Sequence, residues 1–346
     1  MTITGLTPGS DVTNKIEQKQ PMTGKVITII SNEQIKANAG KTIAEILNDQ
    51  ASIYLPGANS NPGTVPTIYM RGAASGRTLI LIDGAPVGDP SMISNEFDLN
   101  LIPFLFKNDN KARALEGLAS YIEVAYGEVP DLVQLMENGV KFFAPVHEGQ
   151  KTGWFYDHRE SRAQLQRVVK GKRVLDVFSY AGSWGVQAAA FGAAEVTCVD
   201  ASEFALEIVQ KNAALNGLDN VKTLQGDAFA VLSQLKQQGE QFDVIVLDPP
   251  AFMQKRKDHA NGLQAYRRVN ELAMRLLVKD GILVSGSCSM HLKTEELVDV
   301  IRGASRHLDK TAQVVFIGGR GADHPVHPAI PETSYLKCVM ARVLGA

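Results

Sequence analysis

Residues 172–185 read KRVLDVFSYAGSWG, and the fold follows from how this stretch is parsed. Val174, Leu175 and Val177 are the β-branched and aliphatic run of a short strand buried on both faces, as a parallel sheet requires. Asp176 interrupts that run near its end. Gly182 and Gly185 then let the backbone turn tightly and approach a ligand before a helix that carries Val186 to Phe191. A glycine turn at a strand-to-helix corner is weak by itself, because sterics alone often place glycine there. Its weight comes from the segments that follow.

Toward the C-terminus, strands and helices alternate. Glu195–Asp200 (EVTCVD) reads as a second strand ending in an acid, placed to accept hydrogen bonds from both hydroxyls of a ribose. Capping the next helix is the competing use of Asp200, but Ser202 can take that role. A helix from Glu203 to Asn216 leads to a third strand, Val221–Gln225, and to Gly226, Asp227 and Ala228, with Asp227 set to receive an adenine amino group. Phe242–Leu247 (FDVIVL) is a fourth buried strand, running into Asp248, Pro249, Pro250, Ala251 and Phe252. A helix over 264–277, a strand over 282–286, a helix over 294–308 and strands over 314–317 and 336–343 complete a seven-stranded, Rossmann-like α/β sheet.

Acids at the tips of four successive strands, without a GxGxxG to cradle a phosphate, favour adenosine with a sulfonium side chain over a dinucleotide. The expected cofactor is therefore S-adenosylmethionine, lying across the C-terminal ends of the strands. Its expected contacts are Asp176, Phe178, Ser179, Tyr180, Ala181 and Gly182 in the first turn, then Asp200, Ala201, Asp227 and Ala228, with Thr152 from a preceding loop.

The chemistry turns on Asp248 and Cys288. Strands four and five should lie about 4.8 Å apart, so DPPAF (248–252) and SGSCSMH (285–291) open onto one cleft. Carbon 5 of cytosine is a poor nucleophile, and adding a thiolate to carbon 6 makes it enamine-like. A free thiol titrates near about 8.5, so Cys288 needs help to be a thiolate at neutral pH. Asp248, hydrogen-bonded at N3 of the base, would stabilise the charge that the addition pushes there, provided it or the base carries the proton. Most free cysteines are small buried hydrophobes, and that role is expected of Cys198 and Cys338.

The composition suits a soluble globular protein with room for two domains: 346 residues, 45% hydrophobic, 21% charged, net charge −2. No overall basic field advertises nucleic acid. Three scattered cysteines argue against a disulfide framework or a zinc site and for a reducing compartment. No apolar run approaches the roughly 18 residues of a membrane span, and the first residues lack the apolar core of a secretory signal. The chain is expected in the cytoplasm, without a metal and away from the membrane.

Residues 1–24 are polar and read as disordered. Order is expected from a strand over 26–30, with Ser31 capping a short helix. Thr42 and Glu45 make a capping box for a helix over 43–47. Strand-like runs follow over 67–70 and 78–82, the second ahead of Asp83-Gly84. This small α/β segment, VITIISNEQIKANAGKTIAEILNDQASIYLPG through TIYMRGAASGRTLILIDGAPV to FDLNLIP, resembles the first part of the plug domain of TonB-dependent outer-membrane receptors over about 25–103. The continuation of the plug and the β-barrel expected of such receptors do not follow, so the segment is read as a truncated, plug-like appendage over 25–104 and not as a transporter. A plug cut after Pro103 leaves a strand edge to be filled by the residues after Phe104.

From 105 to 165 the chain reads as a hairpin-rich connector, with strands at 121–126 and 139–143. GQKTGWFYDHRESR (149–162) is dense in donors and aromatics. A solvated loop explains it, and so does a lid in which Lys151, Tyr156 and Arg159 meet RNA while Thr152 meets the cofactor. The methyltransferase sheet then occupies 166–346.

VLDVFSYAGSWGVQAAAFGA, FDVIVLDPPAF, SCSMH and ADHPVHPAIPETSYLK together resemble the large-subunit ribosomal RNA cytosine-C5 methyltransferase I family over about 106–346. The resemblance implies methylation of a cytosine in 23S rRNA, with Cys288 as nucleophile, Asp248 beside it, and Pro249, Pro250 and Phe252 at the base. Other RNA cytosine-C5 enzymes carry a second cysteine where this chain has Pro249. The family's N-terminal PUA domain is replaced here by the plug-like segment. Two other readings stay open. DPPAF also resembles the motif of enzymes that methylate exocyclic amines, where Phe252 would stack on the base and Cys288 would be dispensable. The other is a plug-derived binding module fused to a fold that holds cofactor without turnover. Lys255, Arg256 and Lys257 can meet phosphates near the target, which favours the enzyme.

Overall fold

The computed structural model describes residues 43–50, 53–55, 69–70, 81–82, 85–86, 104–109, 113, 117–126, 128–253 and 255–345. Its contacts divide the chain into residues 1–129 and 130–346.

The second unit opens with a hairpin, β1 (Leu132–Glu137) and β2 (Val140–Pro145), paired antiparallel. Its turn is Asn138-Gly139, both at positive φ (52° and 80°), the pairing that a two-residue turn matched to strand twist demands. A short helix α1 (Arg159–Ala163) follows. The sheet then forms from β3 (Arg173–Val177), β4 (Glu195–Asp200), β5 (Val221–Gln225), β6 (Phe242–Leu247), β7 (Leu277–Ser287), β8 (Thr311–Gly318) and β9 (Lys337–Leu344). The spatial order is β5-β4-β3-β6-β7-β9-β8. Strands β5 to β7 are mutually parallel, and β9 runs antiparallel to both β7 and β8. The order reverses at β3, so the ends of β3, β4 and β6 frame a crevice at the switch point.

Alternation along each strand feeds two cores. Leu175, Val177, Ile245, Leu247 and Leu283 pack on one face with α4 (Ala228–Gln237), α5 (His259–Leu276) and α6 (Thr294–His307). Val174, Val196, Val244, Val246 and Val284 pack on the other with α2 (Gly185–Ala190), α3 (Glu203–Leu215) and the β1–β2 hairpin. Each fully buried Val or Leu stabilises the sheet by roughly 1.5–3 kcal/mol. The hairpin is also tied to α3: Asn212 accepts from Phe143 N at 2.6 Å and donates to Ala181 O at 2.9 Å, while Asn216 bridges both backbone groups of Lys141.

In this second unit the expected strands and helices form, with shifted ends. Helix α5 starts at His259, five residues before the expected 264, and β7 extends back to Leu277, which pairs with Phe242. Gly281 permits this extension, because a Cβ there would lie 3.0 Å from Leu277 and 3.1 Å from Asp243 O.

In the first unit the helix expected over 43–47 spans Ile43–Asn48. Ile53–Tyr54 pairs with Tyr69–Met70, and Leu81–Ile82 with Ala85–Pro86. Phe104–Asn108 pairs antiparallel with Tyr121–Tyr126 as a two-stranded sheet of its own, and among the described residues it is not bonded to the plug-like strands. The readings of residues 1–24, of the strand at 26–30 and of Ser31 and Thr42 lie outside the described residues. Among the described residues no helix is long and apolar enough to cross a membrane, and no cluster of three or more His, Cys, Asp or Glu suits a metal ion.

Candidate active site

The turn leaving β3 is strained. Phe178, Tyr180 and Gly182 all sit at positive φ (66°, 46° and 79°), a cost that non-glycine residues bear mainly at functional sites. Three bonds hold the turn: Ser179 N donates to Val199 O at 2.9 Å, Tyr180 N to Asp200 Oδ2 at 2.8 Å, and Gly185 N to Asp176 Oδ2 at 2.8 Å. Gly185 is obligatory, because a Cβ there would lie 2.3 Å from Cys198 Sγ and 3.0 Å from Asp176 Oδ2. Asp176 is wholly buried. Burial outweighs the Gly185 hydrogen bond and, with the Asp248 and Asp200 charges adding to it, pushes the Asp176 carboxyl up to about 8. It is thus an acid sealed beneath the turn, unlike the open strand-tip carboxylate the sequence suggests.

At the tip of β4, Asp200 also accepts from Ser202 N at 2.9 Å, and Ser202 caps α3 by accepting from Ala205 N at 3.2 Å. The competing cap role therefore falls to Ser202. Asp227 caps α4 itself, accepting from Ala230 N at 3.0 Å through Oδ1. Ala201 and Asp227 are exposed, while Ala181 and Ala228 are buried behind the turns.

Asp248 leaves β6 beside β7, where Leu247 pairs with Ser285. Trp184 Nε1 donates to its Oδ2 at 2.9 Å. His158 Nε2 stands 3.3 Å from its Oδ1, at ion-pair range but off hydrogen-bond geometry, and the buried ring packs edge-on against Trp184 at 5.4 Å between ring centres with neither nitrogen hydrogen-bonded. Burial pushes the Asp248 carboxyl up, but His158, Trp184 and Arg162 outweigh it and hold the group below its usual range. About a quarter of the side chain stays open to solvent. Neither Trp184 nor His158 is marked in the sequence as a partner of Asp248.

Cys288 follows the end of β7 and is half-buried. Its two neighbours are clamped. Tyr266 Oη lies 2.8 Å from Ser287 Oγ and 2.9 Å from Ser289 Oγ, and Ser289 Oγ accepts from Met253 N at 3.3 Å. Lys337, buried on β9, donates to Ser289 O at 2.5 Å and Tyr335 O at 2.8 Å. Burial lowers this ammonium to about 8, with Cys288 and Glu296 pulling it back. The S-C-S pattern thus anchors both serines while the cysteine between them remains half-open. Burial and then the Asp248 charge push the Cys288 thiol up, and the Lys151 ammonium pulls it part of the way back. Cys198 and Cys338 are fully buried core residues.

Residues 149–162 are divided between solvent and core, with Gln150, Lys151, Thr152, Tyr156 and Glu160 exposed. Trp154, Asp157, His158 and Arg162 face inward. Arg162 grips buried Glu137 with two hydrogen bonds, of 2.6 and 2.8 Å, and Trp154 and Gln187 donate to the same carboxylate at 3.1 and 2.8 Å. This is structural mortar, since a buried charge needs a complete set of partners. Lys151 and Tyr156 are exposed, with Lys151 Nζ 4.9 Å from the Phe155 ring centre. Thr152 Oγ1 donates to Trp154 O at 3.4 Å. Arg159 pairs with Glu160 and Asp323. Pro249 is buried and Pro250 exposed. The Phe252 ring lies within an aromatic cluster, 4.9 Å from Tyr266, 6.2 Å from Phe229 and 6.3 Å from Phe178 between ring centres.

Residues 117–311, more than half the chain, match the S-adenosylmethionine-dependent methyltransferase family, and the chain belongs to it. Residues 19–108 match the TonB-dependent receptor plug domain, so the hairpin of 104–108 with 121–126 joins strands from either side of the seam between the two matches. Among curated proteins the chain is similar to ribosomal RNA large subunit methyltransferase I, with 37% identity over 239 residues in Aeromonas salmonicida and 39% over 240 in Shewanella denitrificans. Each match covers 68% of this chain and 60% of the relative, so the chain spans about 60% of the length of these relatives. Among solved structures, a SAM-dependent methyltransferase-class protein from Streptococcus mutans superposes with a TM-score of 0.57 at 23% identity, covering 64% of this chain and 58% of that one. A methyltransferase-class protein complexed with SAH gives the same values. These two structures show the fold.

S-adenosylmethionine is the cofactor of this family, and the turn after β3 fits it. Ser179 Oγ and Asp176 Oδ1 are buried polar atoms without partners, at the switch-point crevice where the fold binds ligands.

Proposed function

We propose that the chain methylates carbon 5 of a cytosine in large-subunit ribosomal RNA. The observation that carries this reading is the pairing of Asp248 and Cys288 at the ends of two adjacent parallel strands, each held by its own clamp. Phe178 to Gly182, Asp200, Ala201, Asp227 and Ala228 hold the cofactor, which supplies an electrophilic methyl group when bound. The Cys288 thiolate adds to carbon 6, forming an S–C bond and placing electron density on carbon 5 and N3. Asp248 holds N3, which takes up a proton from solvent as the adduct forms, and His158 Nε2 lies 3.3 Å from Asp248 Oδ1. Once carbon 5 is methylated, its proton passes to solvent water, the S–C6 bond breaks to release the Cys288 thiolate, and the ring double bond is restored. Lys151 favours the thiolate, because its charge opposes the burial that keeps Cys288 protonated.

The amine-methylation reading would also place Phe252 at the base, where the half-buried ring packs against Tyr266, Phe229 and Phe178, so the fate of the label in Cys288→Ala separates the two readings. In this proposal catalysis resides in 166–346, with 105–165 as its connector and 25–104 as a plug-like appendage. RNA is the partner and the cytoplasm the site of action. The test is transfer of labelled methyl from S-adenosylmethionine to unmodified 23S rRNA by the intact chain and by Cys288→Ala. Label at carbon 5 of cytosine, lost in the variant, supports the reading. Label on an exocyclic nitrogen that survives the substitution refutes it.

A further inference from the structure

Beside the cleft lies a cavity of about 610 Å³ lined by Arg256, His259, Met290, His291, Lys293 and Glu332. Its walls are the continuations of the two loops that carry the chemistry: Arg256 and His259 follow the Asp248–Phe252 loop, and Met290, His291 and Lys293 follow Cys288. Helices α5 and α6 begin at these walls, at His259 and Thr294. Helix N-termini carry partial positive charge, which suits anions; at α6 it is partly offset by Glu295 and Glu296 in the first turn, with Glu296 accepting from Lys293 N at 2.8 Å. Arg256 and Lys293 bring two cations to the lining against the single carboxylate of Glu332, in a chain whose net charge is −2, so the lining carries a modest positive excess. His259 Nε2 is held 2.9 Å from Glu296 Oε1, which fixes one wall. Met290 is 53% exposed and offers an apolar surface for a sugar or base.

We infer that this cavity is the backbone-binding groove for the RNA strand next to the target cytosine, with Arg256 and Lys293 meeting its phosphodiesters. The inference rests on the RNA reading above and places the substrate strand relative to Cys288. A nucleic-acid backbone fits better than an isolated small anion because the volume exceeds what one phosphate needs and the lining joins charge to an apolar side chain. A strand laid there would cross directly from the phosphate groove to the cysteine two residues before Met290.

The experiment compares the intact chain, the double variant Arg256→Gln/Lys293→Gln, and a charge-matched control, Lys170→Gln/Lys236→Gln. The control residues precede β3 and end α4, toward the ends of the strands opposite those that lead into Asp248 and Cys288. Binding of an unmodified 23S rRNA fragment is titrated at several salt concentrations, S-adenosylmethionine binding is measured in parallel, and KM and kcat for methyl transfer are recorded. Each phosphate contact removed should reduce the slope of log K against log salt by about 0.7 on a single strand. The groove variant should therefore lose about 1.4 from the slope and at least tenfold in RNA affinity, with a raised KM and unchanged cofactor binding. Slope, affinity and KM equal to those of the control double variant would overturn the groove while leaving RNA methylation standing. A groove variant that keeps RNA affinity but loses binding of a mononucleotide would assign the cavity to a free anion, again overturning the inference. If the unaltered chain binds cofactor but neither binds nor methylates RNA, the underlying reading fails.

Discussion

Replacing Asp176 by Asn should change the pH dependence of stability in a defined way. The Asp176 carboxyl is wholly buried and titrates at about 8 in the folded chain, against about 3.9 when unfolded. Between those values the folded state binds a proton that the unfolded state has released, so stability falls as pH rises through the window and levels off above about 8. Each pH unit within it costs about 1.4 kcal/mol. Asparagine keeps an acceptor for Gly185 N and has no proton to lose. From pH 5 to pH 8 the stability of Asp176→Asn should therefore rise relative to the parent by about 4 kcal/mol, and the gap should stay constant above that. Urea unfolding of both proteins without cofactor at pH 5, 6, 7, 8 and 9 measures the gap directly, and other titrating groups cancel in the difference. A gap constant to about 1 kcal/mol from pH 5 to 8 would mean that Asp176 ionises normally, and the argument that the turn seals an acid would be wrong.

Three further outcomes follow from the same contacts. Arg162→Met should destabilise the chain by about 3–5 kcal/mol by stranding Glu137 in the core; chemical denaturation should also show partial recovery on adding Glu137→Gln. Gly185→Ala should cost about 1–3 kcal/mol, because its Cβ would meet Cys198 Sγ at 2.3 Å, and calorimetry should show weakened cofactor binding; a variant with parental stability and affinity would contradict the tight turn. Iodoacetamide should modify Cys288 before Cys198 or Cys338, slowly at pH 7 and about tenfold faster per pH unit until the thiol is ionised, and more slowly still in Lys151→Gln. Peptide mapping reads the site, and equal labelling of the three cysteines in the folded chain would count against the burial pattern.

The strand-turn-acid order from Val174 to Asp248 was legible in the chain because each piece is local. A double-faced apolar run, the acid at or just past its end and the following turn are set by neighbours a few residues apart, and the parallel sheet follows from runs apolar on both faces. The cap competition at Asp200 was also solvable locally, with Ser202 two residues away. The same local reading did not separate the residues of 149–162 that face solvent from those that face inward. Whether Arg162 points to water or to Glu137 depends on the β1–β2 hairpin folding back over α2 and α3, and no spacing within the segment records that. Phe252 likewise reads as a free aromatic until Tyr266 and Phe229 close around it.

By itself, the sequence determined the sheet and the crevice at its switch point, and it singled out Asp248 and Cys288 for the proposed chemistry. The tertiary structure decided their states. Asp248 is held below its usual range by His158 and Trp184, 90 and 64 positions away in the chain, while Asp176 is driven upward by burial. Cys288 is held by Tyr266 and Lys337 through its flanking serines. Ionisation depends on desolvation and on charges within a few ångströms, and those distances exist only once remote segments have packed together.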